Sequence, residues 1–306
     1  MVAHGVAALM SVSRTDGDGT MFPPKTPSAE GPRYNAAADR RSRLTDRDLQ
    51  AIYRRDGVVC LRNVLPTETL AAAERAWQWS LAHPGPGASR LLPDRTVSVA
   101  SVADARRIEA DDGGFFYQDL GHPRASEAYA ELIGCGPIRE ILTSLFADAD
   151  GRASAWFQGE QIFLKEGGSN QRTGWHQDVS DMNAAGADMA VLWMSFDPVD
   201  QGSALEVVRG SHLGPVYDSI YGKFRSQPRP EIESARADWD VVGFATEPGD
   251  VVVFHMATLH GGGTTDDGGR RRSLALRYVG PECVVARSGK RHTVGEPYGR
   301  AFTQVL

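Results

Sequence analysis

The stretch MAVLWMSFDPV at residues 189–199 decides the fold. It is a short apolar run, rich in residues that suit a pleated strand, and it stops at Asp197-Pro198. Similar runs flank it on both sides: WFQGEQIFLK at 156–165, ALEVVRG at 204–210, DVVGFAT at 240–246, DVVVFHM at 250–256 and SLALRYVG at 273–280. Gly and Asp punctuate them at short intervals. No helix-length pattern alternates with the strands, which argues against a parallel βαβ sheet. The second half therefore reads as an antiparallel barrel or sandwich. One long interruption, GPVYDSIYGKFRSQPRPEIESARADW at 214–239, is polar and weakly patterned. A loop of that length in a compact domain commonly forms a lid or a pocket wall.

Upstream the character changes. LTDRDLQAIYRRDG at 44–57 reads as a helix capped by Thr45 and stopped by Gly57. VVCL at 58–61 reads as a short strand, TETLAAAERAWQWSLA at 67–82 as a second helix, and PGPGAS at 84–89 as a loop. FFYQDL at 115–120 falls in a mixed region, and two further helices are expected in RASEAYAELIG and PIREILTSLFA. Residues 1–38, rich in Gly, Pro and Asp, read as a disordered tail. The expected organisation is one domain over 39–306, with a helical first half at about 44–150 and a β core at about 151–285.

Composition narrows the function. The 306 residues are 41% hydrophobic and 24% charged, with a formal net charge of -6, which argues against a nucleic-acid partner or an anionic membrane surface. No apolar stretch approaches the ~20 residues that span a bilayer. The N-terminal MVAHGVAALMSVSR lacks a basic leader and is not read as a signal peptide. Cys60, Cys135 and Cys283 are odd in number and widely spaced, which fits a reducing cytoplasm.

Three features carry chemistry. His176-Gln177-Asp178 places an imidazole and a carboxylate two residues apart, on one face if the chain is extended. His260 follows 84 residues later, before Gly261-Gly262-Gly263, where backbone can approach a bound ion closely. It is preferred as a ligand to His255, which lies in the strand. Arg270-Arg271-Arg272 then leads into the last strong strand, and alternation sets Arg271 on the face opposite its neighbours. Two histidines and a carboxylate leave an open face on a metal, as in non-haem Fe(II) oxygenases.

These residues resemble the phytanoyl-CoA dioxygenase family of Fe(II)/2-oxoglutarate oxygenases. The matching text is Phe163-Leu-Lys165, Thr173-Gly-Trp-His-Gln-Asp178, Leu192-Trp-Met-Ser-Phe-Asp-Pro-Val199, Ala204-Leu-Glu-Val-Val-Arg-Gly-Ser-His212, Pro248-Gly-Asp-Val-Val-Val-Phe-His255 and His260-Gly-Gly-Gly263 followed by Arg271. The resemblance implies a mainly β fold, a double-stranded β-helix (jelly roll, cupin-like) preceded by N-terminal helices. It implies Fe(II) on His176, Asp178 and His260, with 2-oxoglutarate and O2 as co-substrates. Arg271, eleven residues after His260, is implied for the co-substrate carboxylate. Gln161, Gln177 and Trp193 are implied as further co-substrate contacts.

The expected reaction is hydroxylation of an unactivated C–H bond in a small organic substrate, with 2-oxoglutarate decarboxylated to succinate. The alternatives are a non-catalytic cupin-like binding protein, or a metal-dependent oxygenase or hydrolase that does not use 2-oxoglutarate. Gly262 departs from the family, many of whose members carry Ser there. Lys223, Arg225 and Arg229 in the long loop suggest a pocket for an anionic substrate.

Overall fold

A computed structural model describes residues 46–109, 113–167, 172–182, 184–222, 225, 227–265, 269–287, 290–293 and 303–306. The expected disordered tail lies outside these residues. In chain order the elements are α1 (Asp46–Asp56), β1 (Val58–Leu61), α2 (Thr67–Ala82), β2 (Ser89–Leu91), β3 (Thr96–Ser98), α3 (Val102–Arg106), β4 (Phe115–Leu120), α4 (Ala125–Ala128), α5 (Ala130–Ile133), α6 (Gly136–Phe146), β5 (Trp156–Glu166), β6 (Thr173–His176), β7 (Ala184–Gly186), β8 (Met189–Ser195), β9 (Leu205–Val208), β10 (Val241–Gly243), β11 (Val251–Phe254), β12 (His260–Gly262), β13 (Arg270–Val279), β14 (Cys283–Arg287), β15 (Lys290–Thr293) and β16 (Thr303–Gln304).

The large sheet runs β1-β11-β8-β13-β5-β4-β2-β3, with β16 also paired to β5. A second sheet runs β10-β9-β12-β6, and a small one β15-β14-β7. The pairings between these named strands are all antiparallel.

The all-apolar run of β8 follows from burial on both faces. Ala190, Leu192 and Met194 pack with Val251, Val253, Leu274 and Leu276 against a layer that includes Tyr53, Trp77 and Ile138 from the helices. Val191 and Trp193 point the other way, into a core shared with Leu205 and Val207 of the second sheet. The helical layer is tied down by polar groups as well. Gln50 of α1 donates to the carbonyls of Leu145 and Ala147 at 2.9 Å each, which satisfies acceptors left open at the end of α6.

The fold is thus mostly β with a cupin-like jelly roll, as expected. One expectation needs correcting. The first half is not simply helical, because β1, β2, β3 and β4 all join the large sheet. β4, the FFYQDL segment, pairs with β5 from Phe115↔Glu166 to Leu120↔Gln161. The segment RASEAYAELIG forms two single-turn helices rather than one.

Candidate metal centre and co-substrate pocket

The register of the second sheet assembles the centre. β12 and β6 are antiparallel neighbours, with His260 directly opposite His176. Their ring centroids stand 4.1 Å apart. β6 ends at His176, Gln177 stays extended, and Asp178 opens a 3-10 turn. The extended link keeps residues 176 and 178 on one side. Asp178 Oδ1 lies 3.7 Å from Nε2 of each histidine. One candidate ligand atom from each of the three residues lies within 4.8 Å of the others.

The tautomers are set by the backbone. His176 Nδ1 bonds the Gly174 carbonyl at 2.8 Å, and His260 Nδ1 bonds the Thr258 carbonyl at 2.9 Å. A ring nitrogen facing a carbonyl carries the proton, which leaves both Nε2 lone pairs free for a metal. Burial, and then His176, pushes His260 down to about 3. Burial alone would raise the Asp178 carboxyl, but Arg277, His260 and His176 outweigh it and hold the group well below the usual carboxylate range. The donor set is therefore two imidazoles that each keep Nε2 for a metal and one carboxylate, which suits a divalent ion.

These residues line one pocket. Phe163, Val191, Trp193, Leu205 and Phe254 give it apolar walls. At one end stand two cations. Arg271 of β13 and Lys165 of β5 are register partners, and both are buried. Arg271 Nη1 donates to the Ser203 carbonyl, and its Nη2 to the Gly263 carbonyl at 3.1 Å. Its Nε is buried with no partner among the described residues. Lys165 Nζ also donates to the Gly263 carbonyl, at 3.0 Å, and lies 4.1 Å from the centre of the Phe116 ring. Burial pushes Arg271 down to about 10. Lys165 is pushed well below its usual range by burial, and then by Arg271 and Arg172.

The expected residues divide. His176, Asp178 and His260 converge, and Arg271, Gln161 and Trp193 line the same pocket. Arg270 and Arg272 instead face Asp197, with Arg272 also paired to Glu74. His255, just past the end of β11, is not in the cluster. Its Nε2 bonds the Gly186 carbonyl at 3.1 Å, and its ring packs 5.2 Å from that of His212.

Gln177 is a correction. Lying between two residues that face the pocket, it must face the opposite way. Its amide donates to the Pro215 and Ala257 carbonyls at 3.1 and 2.7 Å and accepts from Tyr217 N–H at 2.8 Å. It therefore anchors the long loop and makes no part of the pocket wall. That loop does supply Ile220 and Tyr221 to the wall. The anionic-substrate expectation also fails for two of its three residues. Arg225 is spent on the Ser180 and Met182 carbonyls, and Arg229 lines a separate cleft beside Trp175. Lys223 lies outside the described residues.

Two residues escaped the sequence reading. Arg277 sits on the same face of β13 as Arg271 and pairs with Asp178 Oδ2 through Nε at 2.8 Å. Thr173, register partner of Gly262, has its hydroxyl 3.0 Å from where a Cβ on Gly262 would stand. The hydroxyl that many family members carry at position 262 is thus approached from the neighbouring strand.

A cupin-like β-sandwich thus brings two histidines and an aspartate together as a candidate metal centre. The family model for phytanoyl-CoA dioxygenase (PhyH) matches residues 53–273, and the chain belongs to that family. It is 26% identical over 113 residues to the peroxisomal phytanoyl-CoA dioxygenase of Rattus norvegicus. It is 31% identical over 115 residues to a probable alpha-ketoglutarate-dependent hypophosphite dioxygenase of Stutzerimonas stutzeri. These matches cover 35% and 34% of this chain, and they span only about a third of each relative, 33% and 38%. Among solved structures, the epimerase SnoN in complex with Fe3+, alpha ketoglutarate and nogalamycin RO has a similar fold. Its TM-score is 0.59 at 19% identity, over 84% of this chain and 94% of that one. No helix among the described residues is long and apolar enough to cross a membrane.

Proposed function

We propose that the protein hydroxylates an unactivated C–H bond of a small, largely apolar organic molecule. Bound Fe(II) supplies the oxygen activation that is coupled to decarboxylation of 2-oxoglutarate to succinate. His176, Asp178 and His260 hold the ion and leave its opposite face open to the pocket.

The observation that carries the co-substrate assignment is Arg271. An unpartnered Nε on a buried guanidinium calls for an acceptor, because such a donor costs about 1–3 kcal/mol if left unmade. A planar guanidinium suits a carboxylate. Its Nη2 lies 3.6 Å from a Cβ position on Gly262, two residues from His260 on the same strand. Two extended residues span about 7 Å, close to the length of a five-carbon dicarboxylate. Lys165 adds a second positive group and the Thr173 hydroxyl a further polar contact.

The substrate end supports an apolar molecule. Leu91, Ile220 and Tyr221 line the pocket there, and Tyr221 is 56% exposed, as a side chain that waits for a ligand would be. The apolar walls keep water from the reacting atoms.

The test is to supply Fe(II), 2-oxoglutarate and O2 with a panel of neutral apolar compounds and to measure succinate and product mass. Substrate-dependent succinate with a product one oxygen atom heavier is expected. Succinate with a product of unchanged mass would replace hydroxylation by epimerisation. No succinate under any condition, and no binding of 2-oxoglutarate to the metal-loaded protein, would overturn the proposal. Arg271→Ala is expected to weaken 2-oxoglutarate binding about 10- to 100-fold, the loss of a charged hydrogen-bonded contact.

A further inference from the structure

The carboxylate of Asp178 has two oxygens, and only one faces the histidines. Oδ1 stands 3.7 Å from both Nε2 atoms, while Oδ2 takes the hydrogen bond from Arg277 Nε at 2.8 Å. Arg277 is itself held. Its Nη2 donates to Gln161 Oε1 at 2.6 Å, and Gln161 Nε2 donates to Gln118 Oε1 at 3.1 Å. The chain Asp178–Arg277–Gln161–Gln118 crosses three adjacent strands, β13, β5 and β4. Gln161 and Gln118 are both buried, so few other arrangements are open to it.

We infer that Arg277 is a positioning residue that keeps Asp178 a one-oxygen ligand and thereby reserves a third open coordination position, the one that remains for O2 once a keto acid has chelated the ion. A carboxylate can bind a metal through one oxygen or both. Two imidazoles and one oxygen leave three positions on a six-coordinate ion. If Oδ2 also bound, two would remain, and a chelating keto acid would fill both. With Oδ2 committed to a guanidinium, the second mode requires breaking a partly buried, hydrogen-bonded ion pair, which is unfavourable. Gln161 then has a role other than touching 2-oxoglutarate: it fixes the arginine that fixes the aspartate.

The inference rests on the metal assignment proposed above, and the experiment separates the two. Co(II) is loaded into the full chain under argon. Its binding is followed by the visible d–d absorption, 2-oxoglutarate is titrated against that signal, and crystal structures of the Co(II) forms give the number of Asp178 oxygens on the metal. The wild type is expected to show one oxygen. Arg277→Gln is expected to show both, with an altered d–d spectrum and Co(II) affinity about 10-fold weaker, the low end of what losing an outer partner of a ligand costs. Arg277→Lys keeps a cation beside Oδ2. It is expected to restore one-oxygen binding and most of the affinity, and it serves as the test if Arg277→Gln does not fold. One oxygen and wild-type affinity in Arg277→Gln, or two oxygens in Arg277→Lys, would overturn the inference while leaving the metal assignment intact. Failure of the wild type to take up Co(II) at His176, Asp178 and His260 would overturn the metal assignment itself.

Discussion

Lys165 and Arg271 face each other across β5 and β13 and donate to the same acceptor, the Gly263 carbonyl, at 3.0 and 3.1 Å. Two buried basic side chains that share one neutral oxygen make a site prepared for an anion.

The first prediction concerns pH. Lys165 is pushed below its usual 10.5 by burial, and then by Arg271 and Arg172. Between its lowered value and 10.5 the folded free protein therefore binds fewer protons than the unfolded chain, so its stability rises with pH in that window. A carboxylate at Arg271 favours the charged lysine, so binding of 2-oxoglutarate takes up a proton there and its affinity falls as pH rises. Calorimetry of 2-oxoglutarate binding in two buffers of different ionisation enthalpy reads the uptake directly. Lys165→Met is expected to abolish it; persistence of the uptake in that variant would place the proton elsewhere.

The two candidate histidines part company under mutation. His255→Ala removes a buried ring with hydrogen bonds to Gly186 and Ala257, and is expected to lower stability by about 2–4 kcal/mol with metal affinity retained. His176→Ala is expected to do the reverse, with metal uptake lost and thermal unfolding little changed. Denaturation curves alongside metal titrations check both. Because burial, and then His212, holds His255 down to about 3, that residue also costs stability as pH falls from 6.5 toward 3, by up to about 1.4 kcal/mol per unit.

The glycine run offers an internal contrast. A Cβ on Gly263 would lie 2.5 Å from the carbonyl carbon and oxygen of Ser203, which are backbone and cannot rotate away. A Cβ on Gly262 meets side-chain atoms instead, the Thr173 hydroxyl at 3.0 Å, the Thr173 Cβ at 3.3 Å and Arg271 Nη2 at 3.6 Å. Gly263→Ala is therefore expected to cost about 1–3 kcal/mol and to weaken 2-oxoglutarate binding, because the Ser203 and Gly263 carbonyls are the acceptors that hold Arg271. Gly262→Ala is expected to be milder in stability. Equal losses in the two variants would contradict the packing described here.

The sequence made the ligands legible because their signals are local. An x between two ligands, a histidine at a glycine boundary and an arginine on an alternating strand each follow from periods of two. At Gln177 the resemblance misled where that period did not, since a residue between two inward neighbours faces outward. Arg277 was invisible for a different reason. Inside SLALRYVG it looks like a solvated strand residue, and only its approach to Asp178 across 99 positions gives it a task. The short strands β2 and β3 carry three residues each, too few for any periodicity to declare itself. The core strands were plain because burial on both faces left them unbroken by polar residues.

The wall-forming loop hangs from the residues around Asp178. Gln177 holds Tyr217, Ser180 holds the Tyr217 carbonyl at 2.8 Å, and Asp181 accepts from Ser219 at 2.6 Å. Ile220 and Tyr221 follow directly. The loop is thus a cassette plugged into three sockets beside the proposed metal ligands. Its tip can be exchanged for another of different shape while the sockets at 177, 180 and 181 stay constant. A scaffold wired this way lets one wall of the pocket change shape through a short insert while His176, Asp178 and His260 keep their places.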